Sequence, residues 1–242
     1  MDLTTTYLGL TLKNPLVPSS SPLSRDVATI RQLEDAGAAG IVLYSLFEEQ
    51  ITHEAAEIDH YAQYGAESFA EALSYFPEPG EFHRGPEEYL EHVRKSKEAV
   101  DIPIIASLNA ASPGGWVDYA RKVEQAGADG LELNVYFLPT DVAQPVTEVE
   151  ATYTDIVSDV RSAVRLPIAV KMHPFFTSIP EMAKRLEKAG ANGLALFNRF
   201  YQPDIDPENL EVQPNLQLST PYETRLAMRC LASPYKQVHC DQ

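Results

Sequence analysis

Apolar and polar positions along the chain repeat in one phrase, written three times. Residues 33 to 45 read LEDAGAAGIVLYS, residues 123 to 135 read VEQAGADGLELNV, and residues 186 to 198 read LEKAGANGLALFN. Each copy joins the end of an amphipathic helix to a buried apolar run. The first glycine of each copy (Gly37, Gly127, Gly190) suits the left-handed position that closes a helix. Two further segments, DIPIIASLN from Asp101 and RLPIAVKMH from Arg165, follow helical patterns and open strands with Pro103 and Pro167, where a missing N–H is tolerated. The two strand types alternate along the chain, which predicts a parallel β/α repeat. Its commonest closed form is a (β/α)8 barrel of the TIM type.

The remaining stretches fill in around that rhythm. Residues 3–7 and 10–12 flank Gly9 and predict a hairpin, and LVPSSS at 16–21 predicts a first strand ending in Ser19, Ser20 and Ser21. In a β/α barrel the C-terminal strand ends carry the chemistry. A helix is expected from about Asp26, then strand IVLYS, then an insertion or lid over 46–85. Further strands end in Ser107 and Asn109, in Glu132, Asn134 and Tyr136, in Lys171, Met172 and His173, and in Asn198, giving six. Thr147 with Glu150 and Ser178 with Glu181 have capping-box spacing. After Arg229 the helical period is lost, so 230–242 reads as an atypical tail on a single domain of 242 residues.

Composition removes several function classes. Apolar residues make up 44% of the chain, enough for a sizeable core, yet no run reaches the roughly 20 apolar residues of a membrane span. A net charge of −16 repels phosphate backbones, so nucleic acid is not an expected partner. Both cysteines, Cys230 and Cys240, lie near the end and cannot organise a disulfide framework; with no signal-peptide pattern, a cytoplasmic location is expected. His53, Glu54, Glu57 and His60 match no compact ligand spacing and are expected to be a solvated helix face with no metal.

The strands are nearly all apolar but finish in Ser20, Ser107, Asn109, Asn134, Lys171 and Asn198. A buried amide or ammonium without partners costs on the order of a few kcal/mol, and a shared ligand would supply them. Amides that donate and accept, beside one ammonium, suit a neutral ring with C=O and N–H edges and one site that becomes electron-rich. An isoalloxazine meets that description.

In order, the hairpin, NPLVPSSSP, ASLNAAS, LELNV, PIAVKMHP and LFNRF resemble the flavin-dependent dihydroorotate dehydrogenases over roughly residues 1 to 225. The resemblance implies an oxidoreductase of pyrimidine biosynthesis, with FMN over the barrel mouth and a small dihydropyrimidine as substrate. It implies flavin contacts from Ser20 and Ser21, Asn109 and Asn134 near ring and substrate, Lys171 at the ring edge and Asn198 beside it. In that family a Cys or Ser base takes a proton from C5 while hydride passes from C6 to the flavin.

Two positions depart from the family pattern. Tyr44 stands where a Lys usually follows the second strand, and VYFLPT replaces the loop of the base, putting Phe137 about where the proton acceptor would be. Phenylalanine cannot take a proton; Thr140 and Tyr136 are the nearby hydroxyls. A flavin-impaired pseudoenzyme and a Schiff-base lyase using Lys171 are the alternative readings. An eight-unit barrel needs two more βα units after Asn198, and its last two loops normally build the phosphate site. From sequence, therefore, the expectation is an incomplete, six-stranded open barrel that binds FMN weakly or not at all and tends to associate, as a homo-oligomer, through exposed edges.

Overall fold

The computed structural model describes residues 1–48, 86–110, 113–135, 139–198, 204–213 and 218–241. Most of the 46–85 insertion, including His53, Glu54, Glu57 and His60, lies outside the described residues, as do Tyr136 and Phe137.

The alternating repeat folds into one parallel sheet. Strands β1 (Thr5–Tyr7) and β2 (Leu10–Leu12) make the expected antiparallel hairpin. The sheet then runs in chain order through β3 (Ile41–Phe47), β4 (Ile104–Asn109), β5 (Gly130–Asn134), β6 (Ile168–Met172) and β7 (Gly193–Leu196), each neighbour parallel. Helix α1 (Val27–Asp35) precedes β3. Crossovers α2 (Pro86–Ala99), α3 (Pro113–Gln125), α4 (Val146–Ala163) and α5 (Ile179–Ala189) separate the later strands. This is an α/β fold of the β/α-barrel type, partial among the described residues, which place five strands in the sheet. Gly37, Gly127 and Gly190 adopt φ of 105°, 90° and 112°, as the helix-closing role requires.

The repeat phrase also encodes the stitching between units. Asp129 and Asn192, one position before the second glycine of their copies, accept from the backbone N–H that opens the preceding strand: Ile104 N at 2.7 Å and Ile168 N at 3.0 Å. The glutamate at the second position of each copy caps the next segment. Glu34 accepts from Asp101 N at 3.0 Å, and Glu124 from Arg165 N and Leu166 N at 2.7 and 3.2 Å. In the third copy Glu187 accepts from His239 N and from Cys240 N.

That third contact revises the reading of 230–242. Helix α6 (Thr224–Ala232) continues past Arg229, burying Cys230, and Val238 is buried after it. Val238-His239-Cys240-Asp241 occupies the place that Val100-Asp101-Ile102-Pro103 and Val164-Arg165-Leu166-Pro167 hold before β4 and β6. Ile41 N donates to Pro103 O, Leu131 N to Pro167 O, and Leu194 N to Asp241 O. Asp241 thus bridges β7 in parallel, covering part of that edge, and its carboxylate accepts from Leu8 N at 2.7 Å. Aspartate stands where the other copies have proline, which hid the correspondence in the sequence.

Other expectations need correction. LVPSSS at 16–21 is not a ladder strand; Leu16 O and Pro18 O accept from Ala39 N and Val42 N beside β3, and Pro15 and Pro18 have no N–H to return. The residues 22–25 form a 3-10 turn. Ser178 caps α5 as expected, accepting from Glu181 N, whereas Pro145 is the cap residue of α4 and Thr147 lies inside its first turn. Glu150 pairs instead with Arg185 at 2.8 Å. A second hairpin, β8 (Asp204–Asp206) with β9 (Glu211–Gln213), follows β7 as a separate two-stranded sheet.

Candidate functional site

Alternation gives the sheet two different faces. Ile41, Leu43, Ile104, Leu108, Leu131, Leu133, Ile168 and Val170 pack into the large core with the helices. On the opposite face Val42, Ile105 and Ala169 pack around Leu8, at the tip of the first hairpin. Built on Gly130 or Gly193, a Cβ would come within 3.2 or 2.8 Å of Leu8 side-chain atoms, so both glycines make room for this plug. The plug closes the N-terminal end of the inner face. Toward the C-terminal strand ends the same face turns polar.

The polar tier is continuous across four strands. Ser20 Oγ lies 3.1 Å from Ser45 Oγ, which lies 2.8 Å from Ser107 Oγ. Ser107 Oγ donates to Glu132 Oε1 at 3.2 Å, and the Lys171 ammonium faces the same oxygen at 3.5 Å. Above it, Asn134 stands opposite Lys171 in register and accepts from Asn198 Nδ2 at 2.7 Å. That bond leaves the Asn134 amide NH2 and the Asn198 carbonyl as a donor and an acceptor side by side. Asn109, half-buried, ends β4 opposite Phe47.

Five of the six residues singled out as cofactor contacts therefore sit at the strand ends or in this tier. Ser21 is held differently: its carbonyl accepts from Ser24 N and Oγ as the chain enters the 3-10 turn. The structure adds Ser45 and Glu132. Glu132 had a legible signal, since it aligns with Val42 and Ala195 in the other copies of the phrase and is charged inside an apolar strand.

Tyr44 is not on the site face at all. The register of β3 against β4 shifts between Val42 and Ser45, which turns Ser45 inward and Tyr44 out toward α2. There the Tyr44 ring meets Tyr89 edge-on at 5.2 Å, with the Arg25 guanidinium 5.5 Å over it. The Tyr89 hydroxyl fills the irregularity, accepting from Ser107 N at 2.9 Å and donating to Ser107 O at 3.1 Å. Burial pushes the Tyr89 phenol up, so it stays a neutral donor and acceptor.

Two histidines flank the strand ends. His92 Nε2 lies 2.7 Å from Ser24 O, and the His173 ring stacks on Phe176 at 4.1 Å with its Nδ1 accepting from Phe175 N. Burial lowers both from the usual imidazole value. The unfolded chain then binds more protons than the folded one just below pH ~6.5. Their contribution to stability is full above that pH and is lost as pH falls toward the lowered folded values. Urea midpoints are expected to drop between pH 7 and 5, and less so in a His92→Gln, His173→Gln double variant; an equal drop in that variant would assign the effect elsewhere.

No protein-family model matches the chain. Among curated proteins, the catalytic subunit of dihydroorotate dehydrogenase B (NAD(+)) from Thermoplasma acidophilum is 30% identical over 211 residues, 85% of this chain and 65% of its own length. The corresponding subunit from Thermoplasma volcanium is 31% identical over 196 residues, 78% of this chain and 60% of its own. The chain is related to the dihydroorotate dehydrogenases. A further dihydroorotate dehydrogenase B catalytic subunit, from Methanothermobacter thermautotrophicus, is 33% identical over 159 residues. The chain thus spans less than two thirds of the length of these dihydroorotate dehydrogenases. Structural overlap with solved proteins is looser. A putative phosphonomutase from Burkholderia cenocepacia J2315 gives a TM-score of 0.44 at 18% identity, covering 76% of this chain and 69% of its own. A phosphonopyruvate hydrolase complex with oxalate and Mg++ gives 0.48 at 18%, covering 79% and 61%. No helix among the described residues is long and apolar enough to cross a membrane, and no cluster of metal-ligating side chains occurs among them.

Proposed function

We propose that the chain is an FMN-dependent oxidoreductase of the dihydroorotate dehydrogenase type, acting on dihydroorotate or a related dihydropyrimidine. The observation that carries the reading is the inner tier, in which Lys171 lies between buried Glu132 and the Asn134–Asn198 amide pair at the strand ends of a dihydroorotate dehydrogenase relative. The donor set suits an isoalloxazine: one ammonium for a ring edge that becomes electron-rich, and an adjacent donor and acceptor for a C=O/N–H edge. When bound, FMN would supply the hydride acceptor. Lys171, Asn134 and Asn198 would hold the ring or the substrate, with Asn109 beside them and Ser20 and Ser21 at the end of the first segment. Lys171 is held against a carboxylate, the reverse of the apolar setting that activates an amine for Schiff-base chemistry.

Lys171→Ala is expected to lower the flavin reduction potential, because an ammonium stabilises the electron-rich reduced ring more than the oxidised one. Spectroelectrochemistry of the flavin-loaded proteins checks this, and an unchanged midpoint would remove Lys171 from the ring edge. The activity itself is tested by mixing flavin-loaded protein anaerobically with dihydroorotate. Bleaching of the flavin absorbance supports the reading, and a spectrum unchanged over hours would overturn dihydroorotate as substrate.

A further inference from the structure

We propose that Glu132 is the positioning residue for Lys171, a buried counter-charge that fixes the ammonium in the inner tier and limits the positive charge the mouth presents. The proposal deepens the flavin reading and depends on it only for the identity of the ring.

Three observations carry it. Glu132 is only 3% exposed and the Lys171 side chain only 13%, so the pair is largely withdrawn from water. In register Lys171 stands opposite Asn134, while Glu132 stands opposite Ala169; the Lys171 ammonium therefore reaches back one inward position to its carboxylate. Finally, among the described residues, the other groups facing Glu132 are neutral: the Ser107 hydroxyl from β4, the Tyr7 phenol from β1 and the Tyr89 phenol from α2. Burial first, and Glu132 after it, pushes the Tyr7 phenol up. Lys171 is thus the cation that answers this buried charge, and a buried carboxylate deprived of its cation is unfavourable.

The two charges should act on a bound ring with opposite sign. Lys171→Ala removes positive charge and lowers the flavin midpoint, whereas Glu132→Gln removes the opposing negative charge and raises it. A purely structural role for Glu132 would not raise it. A flavin-free measurement separates this proposal from the flavin reading: acetylation of Lys171 by acetic anhydride, followed by mass spectrometry, with Lys97 as internal standard. Lys97 is held by Asp129 at 2.7 Å, a pair the variant leaves intact. The Glu132 carboxylate holds the Lys171 ammonium inside the tier, where the lysine side chain is only 13% exposed. Glu132→Gln frees that side chain to reach solvent and is therefore expected to let Lys171 acetylate several-fold faster, with Lys97 unchanged.

Lys171→Met reads the same pair from the other side and does not depend on Glu132→Gln folding. Left without its cation, the buried carboxylate is unfavourable, so Lys171→Met is expected to lower the urea midpoint clearly more than Lys171→Arg, which keeps the charge. Unchanged Lys171 labelling in folded Glu132→Gln, or a urea midpoint as high in Lys171→Met as in Lys171→Arg, overturns the proposal whether or not flavin binds. Faster labelling in a protein that takes up no flavin upholds the role of Glu132 and overturns the flavin reading instead.

Discussion

Phe137→Cys is expected to raise the rate at which dihydroorotate bleaches the bound flavin by on the order of 10²- to 10⁴-fold, the usual contribution of a positioned general base. The expectation follows from the order of residues after β5. Asn134 closes that strand against Asn198, and Phe137 follows three positions later in the loop that carries the proton acceptor in the resemblance. A phenyl ring cannot accept the C5 proton, whereas a thiolate can. Stopped-flow absorbance under anaerobic conditions measures the difference. Rapid bleaching by the wild type would show that another group serves as base, with Thr140 and Tyr136 the first to test.

Tyr89→Phe is expected to destabilise the fold by roughly 2–4 kcal/mol, a large cost for removing one oxygen. That oxygen serves both backbone groups of Ser107, which is fully buried in the middle of the sheet. Phenylalanine would leave an N–H and a C=O unsatisfied where water cannot reach them. Because Ser107 also links Ser45 to Glu132, the site would loosen along with the fold. Urea unfolding checks the energy; a loss below about 0.5 kcal/mol would mean that the β3–β4 ladder reforms without the hydroxyl.

The elements legible in the sequence were those fixed by local chemistry. Glycines with positive φ ended the three helices, Pro103 and Pro167 opened strands, and apolar runs of strand length formed the sheet. Lys171, Asn134 and Asn198 were recognisable as polar ends of apolar strands. What escaped depends on contacts between distant segments. The turn of Ser45 inward needs a register shift that a tyrosine from α2 fills, and nothing local to IVLYS announces it. The stitching by Glu34, Glu124 and Glu187 has no local mark, because each carboxylate accepts from backbone 41 to 67 residues away. The segment 16–21 was misread because its apolar start outweighed Pro15 and Pro18, which cannot donate to a ladder. Glu132 was visible as a charge in an apolar run, but its meaning required the position of Lys171.

The central claim, a flavin site built on the inner tier, is tested most directly by equilibrium dialysis of FMN against the wild type and Lys171→Ala. Saturable uptake of one FMN per chain, weakened about tenfold or more by the substitution, is the predicted result, since a lost charged contact of about 1.4 kcal/mol changes affinity by that factor. Uptake that does not saturate, or that is the same in both proteins, would contradict it.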